Sequence, residues 1–437
     1  MSLEWETFEL NDICILNKSS YSKKDDWKFI NYLDTKNIIK GKINEIKYLN
    51  PNEDAIPSRA KRKVENKDII YSTVRPNQEH YGLIENPPEN FLVSTGFTTI
   101  TVDTKNAIPE FVYYFITQNH ITESLQTIAE QSTTSYPSIR PSNIGDLIIS
   151  LPNLHNQKKI SSILRNIEQK IKVNGELNNN LEKIGQTILN ENFFIFSKYS
   201  DDLLIDTEIG KIPINWRTYK LKELFNHIKP GTNYQPNRVE EGIPFLNVKN
   251  INSGFIDLSD VKYISVEDFK KVHKTWVPEE NDILISRIGT LGLVTVINKE
   301  DLPLAVHYNF INVKSDKLPH QFVYFLFKSN NFQRKYQTIK KYSVQEYVTI
   351  DDFSEIEIAS PNDLDELKSV FDLFVNLFDN IQKNILEIKK LQKLRDTLLP
   401  KLMSGEIDVS QINCDLNLII KKIILKFINP ILWRILI

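Results

Sequence analysis

Residues Asn153–Phe196 run NLHNQKKISSILRNIEQKIKVNGELNNNLEKIGQTILNENFFIF. Alternating steps of three and four from Gln157 meet Ile160, Leu164, Ile167, Ile171, Asn174, Asn178, Leu181, Gly185 and Ile188. That spacing is the a/d seam of a coiled coil, with polar interruptions. Pro152 precedes it, and Asn153 is placed to cap the first turn. About forty residues at about 1.5 Å rise each predict a rod of roughly 60 Å, the length of a spacer.

The seam occurs twice. About 210 residues later stand Val370, Phe374, Leu377, Ile381, Asn384, Ile388, Leu391, Arg395 and Leu398. Landmarks outside the helices repeat in the same order. Trp5 and Leu10 return as Trp216 and Leu221, Asp68–Ser72 (DIIYS) as Asp282–Ser286 (DILIS), and Phe111–Tyr114 (FVYY) as Phe322–Phe325 (FVYF). Asp146–Asn153 (DLIISLPN) returns as Glu355–Asn362 (EIEIASPN). The drift in offset falls between elements, where loops absorb insertions. The expected organisation is a head at 1–152, a long helix at 153–197, a linker at 198–215, a second head at 216–361, a second long helix at 362–405 and a tail at 406–437.

Each head carries short β-rich runs, such as Asp68–Val74 and Phe91–Val102, separated by turn-rich stretches. The fold class is therefore α+β: two mixed, mostly β heads joined by two long antiparallel helices forming a coiled-coil spacer, with a pseudo-two-fold internal repeat. Antiparallel helices would bring the N-terminus near residue 405. Asn174 and Asn384 occupy equivalent seam positions near the middle of each helix, and are expected to face each other and set register. The second helix is expected to end at about Leu399, stopped by Pro400 and Gly405.

The 437 residues allow two or three domains, and 41% hydrophobic with 25% charged residues is a globular composition. Cys14 and Cys414 are the two cysteines and suggest no disulfide framework, fitting a reducing cytoplasm. The opening MSLEWETFEL has no apolar core of a signal peptide. Net charge is −2, so any nucleic-acid surface must be local. The tail Gln411–Ile437 is apolar but broken by Lys421, Lys422, Lys426 and Arg434. It is not a membrane span, and is either a surface-seeking basic helix or an extension outside the repeat.

Catalytic signatures are missing from the sequence. There is no G-x-G-x-x-G, no phosphate-binding G-x-x-x-x-G-K-[ST] and no G-x-S-x-G. The seven histidines are scattered, without metal-ligand spacing. Asn86-Pro87-Pro88-Glu89 superficially matches the Asn-Pro-Pro-aromatic loop of amino-methyltransferases, but Glu89 cannot stack on a base, so the stretch is a turn.

Two polar loops in each head have the chemistry to meet DNA. In the first head they carry Thr73, Arg75 and Asn77, then Thr134, Ser135, Tyr136 and Arg140; in the second, Arg287 and Thr290, then Lys341, Tyr342, Gln345 and Tyr347. Hydroxyls, amides, guanidinium and phenol groups contact base edges and phosphates. Basic clusters at Arg59–Lys63 and at Arg334, Lys335, Lys340 and Lys341 could supply phosphate charge or form solvated faces. The loops differ between heads while the frame repeats, which suggests two different half-sites.

The chain resembles the specificity subunit of type I restriction–modification systems over about 3–408. The resemblance rests on the duplicated head–helix plan, the Trp-x-x-x-x-Leu openings, Asp-Ile-Ile/Leu before the loops, the Leu151-Pro152 and Ser360-Pro361 junctions, and Leu398–Ile407 (LLPKLMSGEI). It implies a non-catalytic, cytoplasmic prokaryotic protein whose two target-recognition domains each read half of a bipartite, asymmetric site in double-stranded DNA. The helices would set the gap, with half-sites about one turn (~10 bp) apart, and dock two modification subunits. S-adenosylmethionine, ATP and Mg would reside on partner subunits, including a restriction (motor–nuclease) subunit, with no cofactor or metal in this chain and no membrane. The rival readings are a two-headed protein-binding scaffold and a self-contained methyltransferase or nuclease.

Overall fold

The computed structural model describes residues 5–132, 136–252, 254–342 and 345–410. The tail 411–437 with Cys414, and the loop residues Thr134 and Ser135, lie outside the described residues. Two compact units divide the chain. One holds residues up to Ile171 together with those from Lys389 on; the other runs from Lys172 to Ile388. The division cuts both long helices, Leu154–Phe193 and Lys368–Met403, so each unit takes one head and half of each helix.

In the first unit the opening strand Glu6–Glu9 pairs antiparallel with Ile148–Leu151, the last strand of the head. One four-stranded sheet has the order Cys14–Leu16, Phe97–Val102, Ile69–Ser72, Tyr81–Leu83; the other has Lys47–Leu49, Ile30–Leu33, Phe91–Ser94, Ala60–Lys63. Strand Ile69–Ser72 is buried along its whole length. Its side chains alternate between two cores: Ile69 and Tyr71 join the cluster that includes the long helices, and Ile70 joins Leu33, Val93 and Phe97.

The second unit repeats this plan. Trp216–Lys220 pairs with Glu357–Pro361, and the first sheet keeps its order as His227–Pro230, Phe310–Lys314, Ile283–Ser286, Val294–Val296. Ile283 and Ile285 face the helix-side core while Leu284 faces the other. The second sheets differ at both edges. In the first head Ala60–Lys63 lies antiparallel beside Phe91–Ser94. In the second, the extra strand Arg238–Val239 lies at the opposite edge, beside Lys262–Ile264. The aspartate before the buried strand does the same work twice. Asp68 accepts from the Glu65 amide at 2.8 Å and Asp282 from the Glu279 amide at 3.0 Å, so each carboxylate pins the turn that feeds the strand.

The first long helix starts as its sequence indicates: the Asn153 side-chain oxygen accepts from the Asn156 amide at 3.0 Å. Its first half packs Ile160, Ile163, Leu164 and Ile167 in one core with Leu391, Leu398 and Leu402 of the second helix. There the Trp5 ring lies against Gly405, so the chain's opening does meet residue 405. In the second unit, Leu189 and Phe193 share a core with Phe374, Phe378, Ile381 and Ile385. Hydrogen bonds join Asn174 to Glu387 at 2.7 Å and Asn384 to Asn178 at 2.8 Å. One number rises as the other falls, so the pairing is antiparallel.

Those bonds correct the expected asparagine pair. Asn174, fully buried, donates to Glu387, and Asn384 donates to Asn178. In an antiparallel pair an a position of one helix faces a d position of the other, so equivalent residues of two repeats pass one turn apart. The end of the second helix also differs. Pro400 lies inside it and the helix runs to Met403, because a proline in the last turn removes one main-chain bond without stopping the helix. Gly405, at φ +76°, supplies the left-handed residue beyond the end.

The weak seam position Gly185 has a different partner from the one its heptad position suggests. A Cβ there would stand 2.2 Å from the Phe325 ring, and Gln186 donates to the Phe325 carbonyl at 3.0 Å. The second half of the first long helix thus packs against the second head.

Candidate nucleic-acid interface

The two polar loops of each head are brought together. In the first head Val74 bridges Ser138 antiparallel; the Arg75 amide donates to Pro137 at 2.9 Å and the Ile139 amide to Thr73 at 2.8 Å. In the second head Ile288 bridges Tyr347; the Gly289 amide donates to Glu346 at 3.2 Å and the Val348 amide to Arg287 at 2.9 Å. The buried serine ending each central strand shapes its loop: Ser72 donates to the Val74 carbonyl and Ser286 to the Thr290 carbonyl. A buried strand, a serine and a two-loop bridge therefore form one presentation device, built twice.

This register makes Thr73 the counterpart of Arg287, and Arg75 the counterpart of Gly289. The two arginines are not equivalent. Arg287 donates from Nε to the Val348 carbonyl at 2.8 Å and from Nη1 to Tyr308 at 3.4 Å, and burial lowers its pKa. Its guanidinium holds the loop. Arg75 places its guanidinium 5.1 Å from the Tyr136 ring.

The other candidates are placed as follows. Thr73 donates to Gly96 at 3.0 Å; Asn77 is exposed, with its amide on Gln126. Tyr136 and Arg140 are exposed, and the Arg140 amide donates to the Asn143 side chain at 2.8 Å. In the second head Thr290, Tyr342 and Gln345 are exposed and Tyr347 is half-buried. Lys341 pairs with Asp352 at 2.6 Å; that hydrogen bond raises the lysine and lowers the aspartate. Lys340 pairs with Glu346 at 3.0 Å, and Lys335 donates to the Glu357 carbonyl. Lys63 pairs with Asp25. One cation of the first cluster, Lys63, and two of the second, Lys340 and Lys341, are therefore balanced locally by carboxylates.

One basic feature escaped the sequence reading. A cleft of about 550 Å³ in the second head is lined by Lys229, Lys271, Lys274 and Arg287 with Thr232, Asn233, Trp276 and Tyr308, and no carboxylate lines it. Trp276 is fixed by donating to the Pro230 carbonyl at 2.9 Å. Arg287 belongs both to this cleft and to the loop bridge, so the two adjoin. Nothing in the sequence links Lys229 to residues 271–276; the fold alone brings them together. Among the described residues no group of three or more His, Cys, Asp or Glu could hold a metal ion, and no helix is long and apolar enough to cross a membrane.

The family model for the type I restriction modification DNA specificity domain matches twice, over residues 2–183 and 213–396. The chain belongs to the type I restriction–modification DNA specificity family. Each match runs from a head into a long helix of this specificity chain, and the two starts are offset as Trp5 and Trp216 are. The type I restriction enzyme HindI specificity subunit of Haemophilus influenzae is 24% identical, over 92% of this chain and 100% of its own length. The MjaVIII specificity subunit of Methanocaldococcus jannaschii is 24% identical over 89% of this chain and 95% of its own. The crystal structure of a type I S subunit from M. genitalium is 16% identical, covers 92% of this chain and 96% of that one, and gives a TM-score of 0.55, a likeness of fold.

Proposed function

We propose that this chain is the DNA-recognition subunit of a type I restriction–modification complex, each head reading one half of a bipartite, asymmetric site in double-stranded DNA. The observation that carries this is the loop bridge. In both heads, two loops far apart in sequence are tied together at the end of a buried strand, on a repeated frame with different side chains at the tips. A rigid frame with variable loops is how one fold serves two specificities. The long helices dock the modification subunits, two in number, which bind S-adenosylmethionine and methylate adenine. A restriction subunit joins for cleavage, with ATP and Mg on the partners. This chain contributes recognition and no catalytic group.

Reconstitution with modification subunits tests the reading. Methylation of a random-sequence DNA library should fall in a two-part motif, and the chain alone, given labelled S-adenosylmethionine and DNA, should turn nothing over. Turnover by the chain alone, or binding that stays flat as salt rises, would refute it, because phosphate contacts impose a steep salt dependence.

A further inference from the structure

We infer that Arg75 and Tyr136 form a preset reader of guanine in the half-site of the first head, an inference that rests on the DNA-reading function proposed above. Arg75 adopts φ 48° and ψ 70°, a left-handed backbone that glycine takes freely and other residues take at a cost. The second head places Gly289, at φ +79°, in the same position of the same bridge. The turn therefore does not ask for a long side chain; glycine suffices. An arginine kept against its backbone preference is kept for what its guanidinium meets.

That guanidinium lies over the Tyr136 ring, 5.1 Å from its centroid, and the tyrosine is 60% exposed. Among the described residues no carboxylate pairs with Arg75, whereas the Arg287 guanidinium is occupied by two carbonyls. Stacking on an aromatic face fixes the guanidinium plane and leaves its edge of N–H donors open. That planar fork matches O6 and N7 on the major-groove edge of guanine, and no other base offers both acceptors there. The second head, with glycine at this place, must read its half-site by other groups.

The test uses the full chain assembled with its modification subunits, with methylated motifs mapped on a random-sequence library. The unsubstituted complex should require a G·C pair at one position of one half-site. Arg75→Gly should lower discrimination at that pair roughly ten- to hundred-fold, leave the other half of the motif unchanged, and melt no lower than the unsubstituted chain. Tyr136→Phe should keep the preference and Tyr136→Ala should weaken it. The inference is overturned if neither half-site requires a G·C pair, if Arg75→Gly keeps the motif, or if it weakens all sequences equally, as removal of a phosphate-binding group would. In each of these cases the bipartite motif persists and the DNA-reading function stands. Methylation without any bipartite motif would overturn that function and this inference together.

Discussion

His273 illustrates how far a single residue departs from what its letter suggests. Its Nε2 accepts from the Val306 amide at 3.2 Å and its Nδ1 lies 2.9 Å from the Trp276 carbonyl, which fixes the neutral, Nδ1-protonated form. Burial pushes its pKa down to about 4, against the opposing Trp276 hydrogen bond. The unfolded chain binds this proton near pH 6.5, as an unperturbed imidazole does. Its contribution to stability is therefore complete above about pH 6.5 and is lost as pH falls toward 4, by up to about 1.4 kcal/mol per unit. Denaturant melts across that range should show this slope, and His273→Gln should flatten it. Gly185 makes a second residue-scale case. Gly185→Ala drives a methyl into the Phe325 ring, and thermal melts should show a loss of about 1–3 kcal/mol. Neither role is written in the sequence. His273 caps the end of the helix Val266–Val272, which is too short to carry a readable period, and Gly185 looks like a seam residue until the head is seen to occupy its space.

At the scale of elements, the long helices were legible because the heptad period, the cap at Asn153 and the repeat all agree. Their mutual register was not, since a period fixes which face is apolar and leaves the axial offset open. Asn384 donates to Asn178, and that offset has a measurable consequence. Asn384→Leu strands the Asn178 oxygen and should cost about 1–3 kcal/mol, while the double change Asn178→Leu with Asn384→Leu should recover most of the loss. A double-mutant cycle in urea measures the coupling, and additive losses would contradict the pairing. The reading loops were legible as polar, hydroxyl-rich stretches after β-rich runs. Their bridge was not, because Val74 and Ser138 are joined only by tertiary structure. Nor was the two-residue offset between Arg75 and Arg287, since both simply follow the repeated Asp-Ile-Ile/Leu segment.

Over the whole molecule, a net charge of −2 makes any attraction to DNA a matter of local placement. Several lysines in the sequence clusters are paired with carboxylates, as is Lys271 of the cleft, which meets Glu267 at 2.9 Å, whereas among the described residues no carboxylate pairs with Lys229 or Lys274 there. Lys229→Gln with Lys274→Gln should weaken binding of the assembled complex to all DNA sequences alike. The slope of log affinity against log salt should fall by about one for each phosphate deprived of its lysine, with the methylated motif unchanged. A changed motif would make these lysines base readers instead.

The division into two compact units carries a consequence for biosynthesis. The unit from Lys172 to Ile388 is contiguous in the chain, while the other combines residues up to Ile171 with those from Lys389 on. Its ties span most of the polypeptide: the Lys159 ammonium reaches the Ser410 carbonyl at 2.8 Å across 251 positions. A ribosome releases these partners at opposite ends of its task. The inner unit can therefore close while translation continues, and the first head, though made earliest, waits with Ile160, Leu164 and Ile167 uncovered until the last stretch emerges. Contacts of such long loop length form late, and exposed apolar surface on a nascent chain invites chaperones. The half of the protein that is synthesised first is thus the half that matures last.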